Sequence, residues 1–157
     1  MLDDGDCEIL IFGVGARHYG LPLAHVREIV RAAAFTPLPK APAIIEGVVD
    51  LRGRIVPLLD IRTRFGLPAK PVEPSDHLVI AQAGERIVAI RADRAAGLAR
   101  IPTREIFAAE EVSPAVNYVA GIAALADGVL VIHDLKTFLS RAESQSLDEA
   151  LSAETPA

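Results

Sequence analysis

Aliphatic residues in this chain fall in short unbroken runs, not at the spacing of long helices. Ile9 to Phe12 leads into glycines at 13 and 15 and then a second run from Arg17 to Leu23, which predicts a hairpin turning at Gly13 to Gly15. Leu78 to Ala81, Gly84 and Arg86 to Ile90 repeat that arrangement and predict another. Two further pairs of runs follow the same logic: one is split by Arg52-Gly53-Arg54, the other by Ala126-Asp127-Gly128, which reads as an ordinary Asp-Gly hairpin turn.

Other segments break the strand pattern. Behind Pro22, the residues Leu23, Val26, Ile29 and Val30 recur at helical spacing with Arg27, Glu28 and Arg31 on the remaining faces, which predicts a short amphipathic helix. Pro37, Pro39 and Pro42 exclude regular structure and hold the chain extended before Ile44. Pro68, Pro71 and Pro74 do the same across residues 67–76, which read as a linker. Asp134 is a candidate N-cap for a C-terminal segment in which Leu135, Phe138, Leu139, Leu147 and Leu151 predict one or two short helices and a frayed end.

The two halves share a pattern. Gly47, Leu51, Ile55, Val56, Leu58, Asp60 and Ile61 answer to Gly121, Leu125, Val129, Leu130, Ile132, Asp134 and Leu135, all displaced by 74 positions. Gly15 and Arg17 answer to Gly84 and Arg86 with a displacement of 69. Against the competing reading, chance likeness of aliphatic strands, a repeat of this length built from strands and turns predicts two similar small β-barrels. The expected fold class is all-β with short helices: one domain over 7–140, in subdomains of roughly 7–68 and 76–140, with an acidic tail at 1–6 and a C-terminal helix and tail at 141–157.

Composition fits that size. With 157 residues, 51% of them hydrophobic and 24% charged, the chain is long enough for one core or for two small barrels sharing one. The formal charge of -5 is concentrated at the ends, in Asp3, Asp4, Asp6 and Glu8 and in four acids beyond Arg141. Arginines elsewhere are interleaved with acids and no dense basic run occurs, so a nucleic-acid platform is not expected. Cys7 is alone and the N-terminus is acidic where a secretion signal needs basic and then apolar residues, which predicts a reduced, cytoplasmic setting. The longest uncharged stretch, Val112 to Ala126, is broken by Pro114 and Asn117 and is too short for the roughly 18 to 20 apolar residues of a membrane span.

Catalytic chemistry finds no constellation. His18, His25, His77 and His133 are widely separated, Cys7 has no basic neighbour, and Gly13-Val14-Gly15 does not open a helix as a phosphate-binding loop does. No catalytic, metal or cofactor site is expected.

The repeat acts as an internal control. Gly47, Gly121, Asp60 and Asp134 occur in both halves and read as fold residues: glycines with backbone freedom before a strand, and aspartates that accept amides at the next turn. Arg52, Gly53, Arg54 and Pro57 have no equivalents. On residue types alone two readings of Arg52 stand level, a solvated turn arginine and one fixed by Glu28 or Glu46 to display the loop. Pro57 cannot donate to a ladder, which predicts an edge or bulged strand available for docking.

A resemblance weighs on that choice. Thr36-Pro37-Leu38-Pro39, Ala41-Pro42, Ile45 to Gly53 and Ile55 to Arg62, preceded by Tyr19 to Leu23 and Val26 to Ile29 and followed by Tyr118 to Gly121 and Asp134-Leu135, together resemble the CheW-like chemotaxis coupling proteins over roughly residues 7–140. The resemblance implies two five-stranded SH3-like barrels around a shared core. It also implies an adaptor without enzymatic activity or cofactor, linking the cytoplasmic tip of methyl-accepting receptors to the regulatory domain of a CheA-type histidine kinase. Other CheW-like proteins are further implied partners, and the implied location is cytoplasmic, recruited to receptor arrays. Position by position, Glu28 and Arg52 match the family's charged pair on the receptor-facing surface, and Val26, Gly47 and Gly53 match positions associated with it. Asp50, Arg54, Pro57 and Arg62 complete the expected partner-facing set. Three departures stand out: Asp50 where asparagine is usual, with Arg52 or Arg54 as expected ion-pair partners; His133 where an aliphatic residue is common; and the bland stretch Ala32 to Ala34. The alternative reading is a small-ligand sensor using a cleft between the barrels, which the scarcity of aromatic residues disfavours.

Overall fold

The computed structural model describes residues 5–32, 35–108, 119–125, 128–135 and 137–154. Most of the acidic N-terminal tail, Ala33-Ala34, Val112 to Tyr118, the Ala126-Asp127 turn and the last three residues lie outside them. Strands β1 (Asp6–Val14) and β2 (Arg17–Pro22) form the first hairpin; β3 (Val26–Arg31), β4 (Ile45–Leu51) and β5 (Arg54–Leu59) follow, then helix α1 (Ile61–Phe65). The second half runs β6 (His77–Ala83), β7 (Arg86–Ala92), β8 (Arg94–Pro102), β9 (Ile106–Ala108), β10 (Val119–Leu125) and β11 (Gly128–His133), and closes with helix α2 (Arg141–Glu154). These strands make a six-stranded sheet, β8-β1-β2-β11-β10-β9, and a five-stranded sheet, β3-β6-β7-β5-β4. The all-β class with short helices is therefore observed, with a sixth strand in one sheet where five were expected. That strand is β9 on β10; in the other sheet its place is taken by the single bridge Thr36 to Val48.

The repeat is realised in the register. Leu58 pairs in parallel with Ala89, and Ile132 with Gly20. Displacing Leu58 by 74 and Gly20 by 69 turns one pair into the other, so both sequence offsets meet in one contact. Bulges fall at Ile45/Gly47 and at Val119/Gly121, again 74 apart. The hairpins are exchanged: β1-β2 joins strands of the second half, and β6-β7 joins strands of the first.

Exchange explains the unbroken aliphatic runs. Leu10, Phe12 and Val14 of β1 and Val79 and Ala81 of β6 point into one cluster shared by the sheets, while Ile9 faces a cluster of the six-stranded sheet and Leu78 and Ile80 one of the five-stranded sheet. Strands buried on both faces need apolar residues at successive positions, not alternate ones. Each fully buried leucine or isoleucine, Leu21 and Ile90 for example, contributes about 1.5–3 kcal/mol.

Four local expectations are corrected. The first hairpin turns at Gly15-Ala16, and Gly13 lies within β1, where a Cβ would come within 2.4 Å of the Arg94 guanidinium carbon. The helix expected behind Pro22 is one 3-10 turn, Leu23–His25, followed by β3, because Val26 to Arg31 pairs with β6. Residues 37–44 contain turns at Pro39-Lys40 and Ala43-Ile44 instead of running uniformly extended. The C-terminal helix does not start at Asp134: among the described residues α2 begins after Ser140, whose Oγ accepts the Glu143 amide at 3.0 Å while its own amide donates to Glu143 Oε1 at 2.9 Å, a capping box. Asp60 does cap, accepting the Arg62 amide at 2.9 Å, and α1 ends at left-handed Gly66.

Residues 67–76 have no regular structure, as their prolines predict, but they are pinned. Arg91 binds Glu46 in a fork at 2.8 Å on both arms and donates to the Lys70 carbonyl at 2.7 Å. Arg62 holds the Pro68 carbonyl at 3.2 Å.

Candidate functional site

The β4-β5 hairpin closes with Leu51 opposite Arg54, leaving Arg52 and Gly53 as a two-residue turn. Both have positive φ, 53° and 87°, the geometry whose twist suits tight hairpins. Glycine adopts it freely; Arg52 does so against the steric preference of its side chain. The Asp50 carboxylate accepts the Gly53 amide at 2.8 Å, which corrects the expectation that Asp50 pairs with Arg52 or Arg54.

From this turn the Arg52 guanidinium donates to the Glu28 carboxylate on β3. Of the two readings left open by the sequence, the fixed arginine is the one observed, with Glu28 and not Glu46 as partner. Arg52 remains 70% exposed and Glu28 34%. The hydrogen bond and then the charge of Glu28 raise the Arg52 pKa above its ordinary value. A bulge between Val26 and Glu28 leaves Arg27 over, and Arg27 donates to Gln82 at 2.7 Å.

Of the sequence-selected residues, Asp50, Arg52, Gly53 and Arg54 lie on this exposed hairpin and Glu28 of β3 joins them through Arg52, with Ile55 also 55% exposed. Val26 is half-buried at the start of β3. Three others lie inside. Gly47 is buried because the Thr36 carbonyl would stand 2.4 Å from a Cβ there; close approach, and not positive φ, requires glycine. Pro57 is buried in β5, an interior strand between β7 and β4, not the expected edge. In the ladder running back from the two-residue turn, Val48 opposite Pro57 is a non-hydrogen-bonded pair, so the missing donor faces β7, whose pairing with β5 starts only at Leu58. Arg62 is 8% exposed and donates from Nη2 to both Asp93 oxygens at 2.8 and 2.6 Å, which removes it from any partner surface. Burial alone would raise the Asp93 pKa, but the hydrogen bonds from Arg62 and the Gly15 amide outweigh it and hold the carboxyl below the usual range. Sequence reasoning missed Asp93, Arg91 and Asp76, whose partners are remote in the chain.

His133, the one histidine followed by an acidic residue, is 1% exposed among Phe12, Tyr19, Phe65 and Phe138, with ring centroids at 5.1–6.0 Å. Burial pushes its pKa down to about 3, so the ring is neutral and reaches no solvent-facing cleft. The space between the sheets, where a sensor would need its cleft, is filled by the shared core. A depression of about 300 Å³ lies instead against Arg17, His18 and Val129 at the first hairpin.

A sequence profile described as the CheW-like domain matches residues 8–143. The chain is 31% identical over 143 residues to the chemotaxis protein CheW of Klebsiella aerogenes, covering 90% of this chain and 86% of that one. It is 34% identical over 99 residues to the protein FrzA of Myxococcus xanthus, with 63% and 62% covered. Among solved structures it superposes on the scaffolding protein TtCheW of Thermoanaerobacter tengcongensis with a TM-score of 0.77 at 25% identity, covering 88% of this chain and 95% of that one.

Proposed function

The chain belongs to the CheW-like domain family, and from that premise we propose that it is a non-enzymatic scaffold coupling methyl-accepting chemoreceptors to a CheA-type histidine kinase. The observation that carries this reading is the hairpin at Arg52: an exposed arginine held by Glu28 at a position where the other half of the repeat has Ala126. The surface it presents joins a fixed guanidinium fork to an exposed branched side chain, Ile55, the mixture that suits partner recognition. Its setting is cytoplasmic, with recruitment to receptor arrays through these partners; among the described residues no helix is long and apolar enough to cross a membrane.

The test is binding of the purified chain to the regulatory domain of the kinase and to the cytoplasmic fragment of a receptor from the same cell. Both bind with dissociation constants below about 50 µM; silence in both experiments at that concentration removes the reading.

A further inference from the structure

Asp50 occurs in one half of the repeat only. Its counterpart 74 positions on is Ala124, and that of Arg52 is Ala126, although Leu51 and Leu125 agree and each pairs with the residue three positions on, Arg54 and Gly128. The repeat therefore does not require a carboxylate at the position of Asp50 or a guanidinium at that of Arg52, and the pair requires another reason. We propose that Asp50 is the positioning residue for Arg52, its carboxylate fixing the left-handed turn from which the guanidinium reaches Glu28 and faces a partner. The inference rests on the reading of the Arg52 hairpin as a binding surface.

The geometry is specific. Arg52 occupies the first turn position at φ 53°, where an L side chain other than Asn or Asp is disfavoured. The Asp50 Oδ1 lies 2.8 Å from the Gly53 nitrogen and ties down the peptide that follows Arg52. Asp50 is exposed and Arg52 turns its fork to Glu28, so Asp50 acts on the arginine through the backbone and not as its counter-ion. Without the Asp50 bond the turn samples other conformations, and Arg52 must be ordered again each time a partner binds.

The experiment compares the affinity of the receptor's cytoplasmic fragment for the wild type, D50A, D50N, R52A and D50A/R52A. The expected result is a loss of about three- to tenfold for D50A, the ordinary worth of one capping hydrogen bond. D50N, which keeps the acceptor oxygen and loses the charge, binds within about twofold of wild type, and D50A adds nothing in the R52A background. Wild-type affinity in D50A with reduced affinity in R52A overturns the role of Asp50 and leaves the Arg52 surface standing. Unchanged affinity in R52A removes that surface, and the inference with it. A D50A effect that persists in the R52A background, or that D50N fails to reverse, also overturns the inference, since Asp50 then acts by its charge or by touching the partner.

Discussion

Arg52, on the turn between β4 and β5, is joined by an ion pair to Glu28 on β3, a strand that does not pair with either of them. The contact spans the open side of the five-stranded sheet while leaving the arginine largely in solvent. In high dielectric such a pair adds little to stability, so its consequence lies in where the guanidinium is held.

Reversing the charge separates these roles. Arg52→Glu sets two carboxylates together at the hairpin and weakens receptor binding at least tenfold, while the melting temperature stays within about 2 °C of wild type. The exchange Glu28→Arg with Arg52→Glu recovers part of the loss. Isothermal titration against the receptor fragment, with thermal unfolding alongside, reads both; normal receptor binding by the single variant makes Arg52 a solvated turn residue.

The two repeat glycines differ in how much room they leave. A Cβ on Gly47 meets the Thr36 carbonyl oxygen at 2.4 Å, backbone that must move and with it the Thr36 to Val48 bridge. At Gly121 the nearest atom is Ile106 Cγ2 at 2.6 Å, the end of a side chain, and the backbone oxygen of Phe107 is at 3.1 Å. Gly47→Ala is expected to cost about 2–3 kcal/mol and Gly121→Ala about 1 kcal/mol in urea unfolding. Equal costs would show that backbone approach does not set the requirement at Gly47.

Arg62 and Asp93 supply the opposite case to Arg52. The pair is 8% and 13% exposed, and Asp93 also accepts the Gly15 amide at 2.6 Å, so removing either partner strands a buried charge. Arg62→Ala is expected to destabilise by about 3 kcal/mol, and Asp93→Ala on top of it to cost much less than it does alone. Strictly additive losses in the double variant would show that the two side chains stabilise the fold independently.

These contrasts mark what local patterns convey. Hairpins, the doubled pattern and the Asp60 cap were legible because strand runs, turn glycines and capping residues act over a few positions. The strand at Val26 to Arg31 was not: Val26, Ile29 and Val30 satisfy helical spacing, and only pairing with His77 to Ala81, about fifty residues on, settles the choice. The pinning of the linker was equally hidden, since Arg91 reaches the Lys70 carbonyl from 21 positions away and no composition rule anticipates it. At the candidate site, an arginine present in one half only was visible in the sequence, whereas the burial of Gly47, Pro57 and Arg62 depends on sheet order.

His133 carries the last prediction. Its ring is enclosed by four aromatic side chains, and burial holds its folded pKa at about 3, against about 6.5 in the unfolded chain. Between these values the unfolded state binds a proton that the folded state refuses, so stability falls as the pH falls. Lowering the pH from 7.5 to 5 is expected to remove about 2 kcal/mol through this group. Asp93, with its depressed pKa, adds to the loss only at lower pH, as the pH falls below the unfolded carboxylate range and through its folded value. The variant His133→Leu places a side chain that cannot titrate among these rings and flattens the profile between pH 7.5 and 5, leaving the steeper loss at lower pH in place. Urea unfolding of both proteins across that range checks it, and parallel profiles would mean that the imidazole gains a proton in the folded protein without penalty.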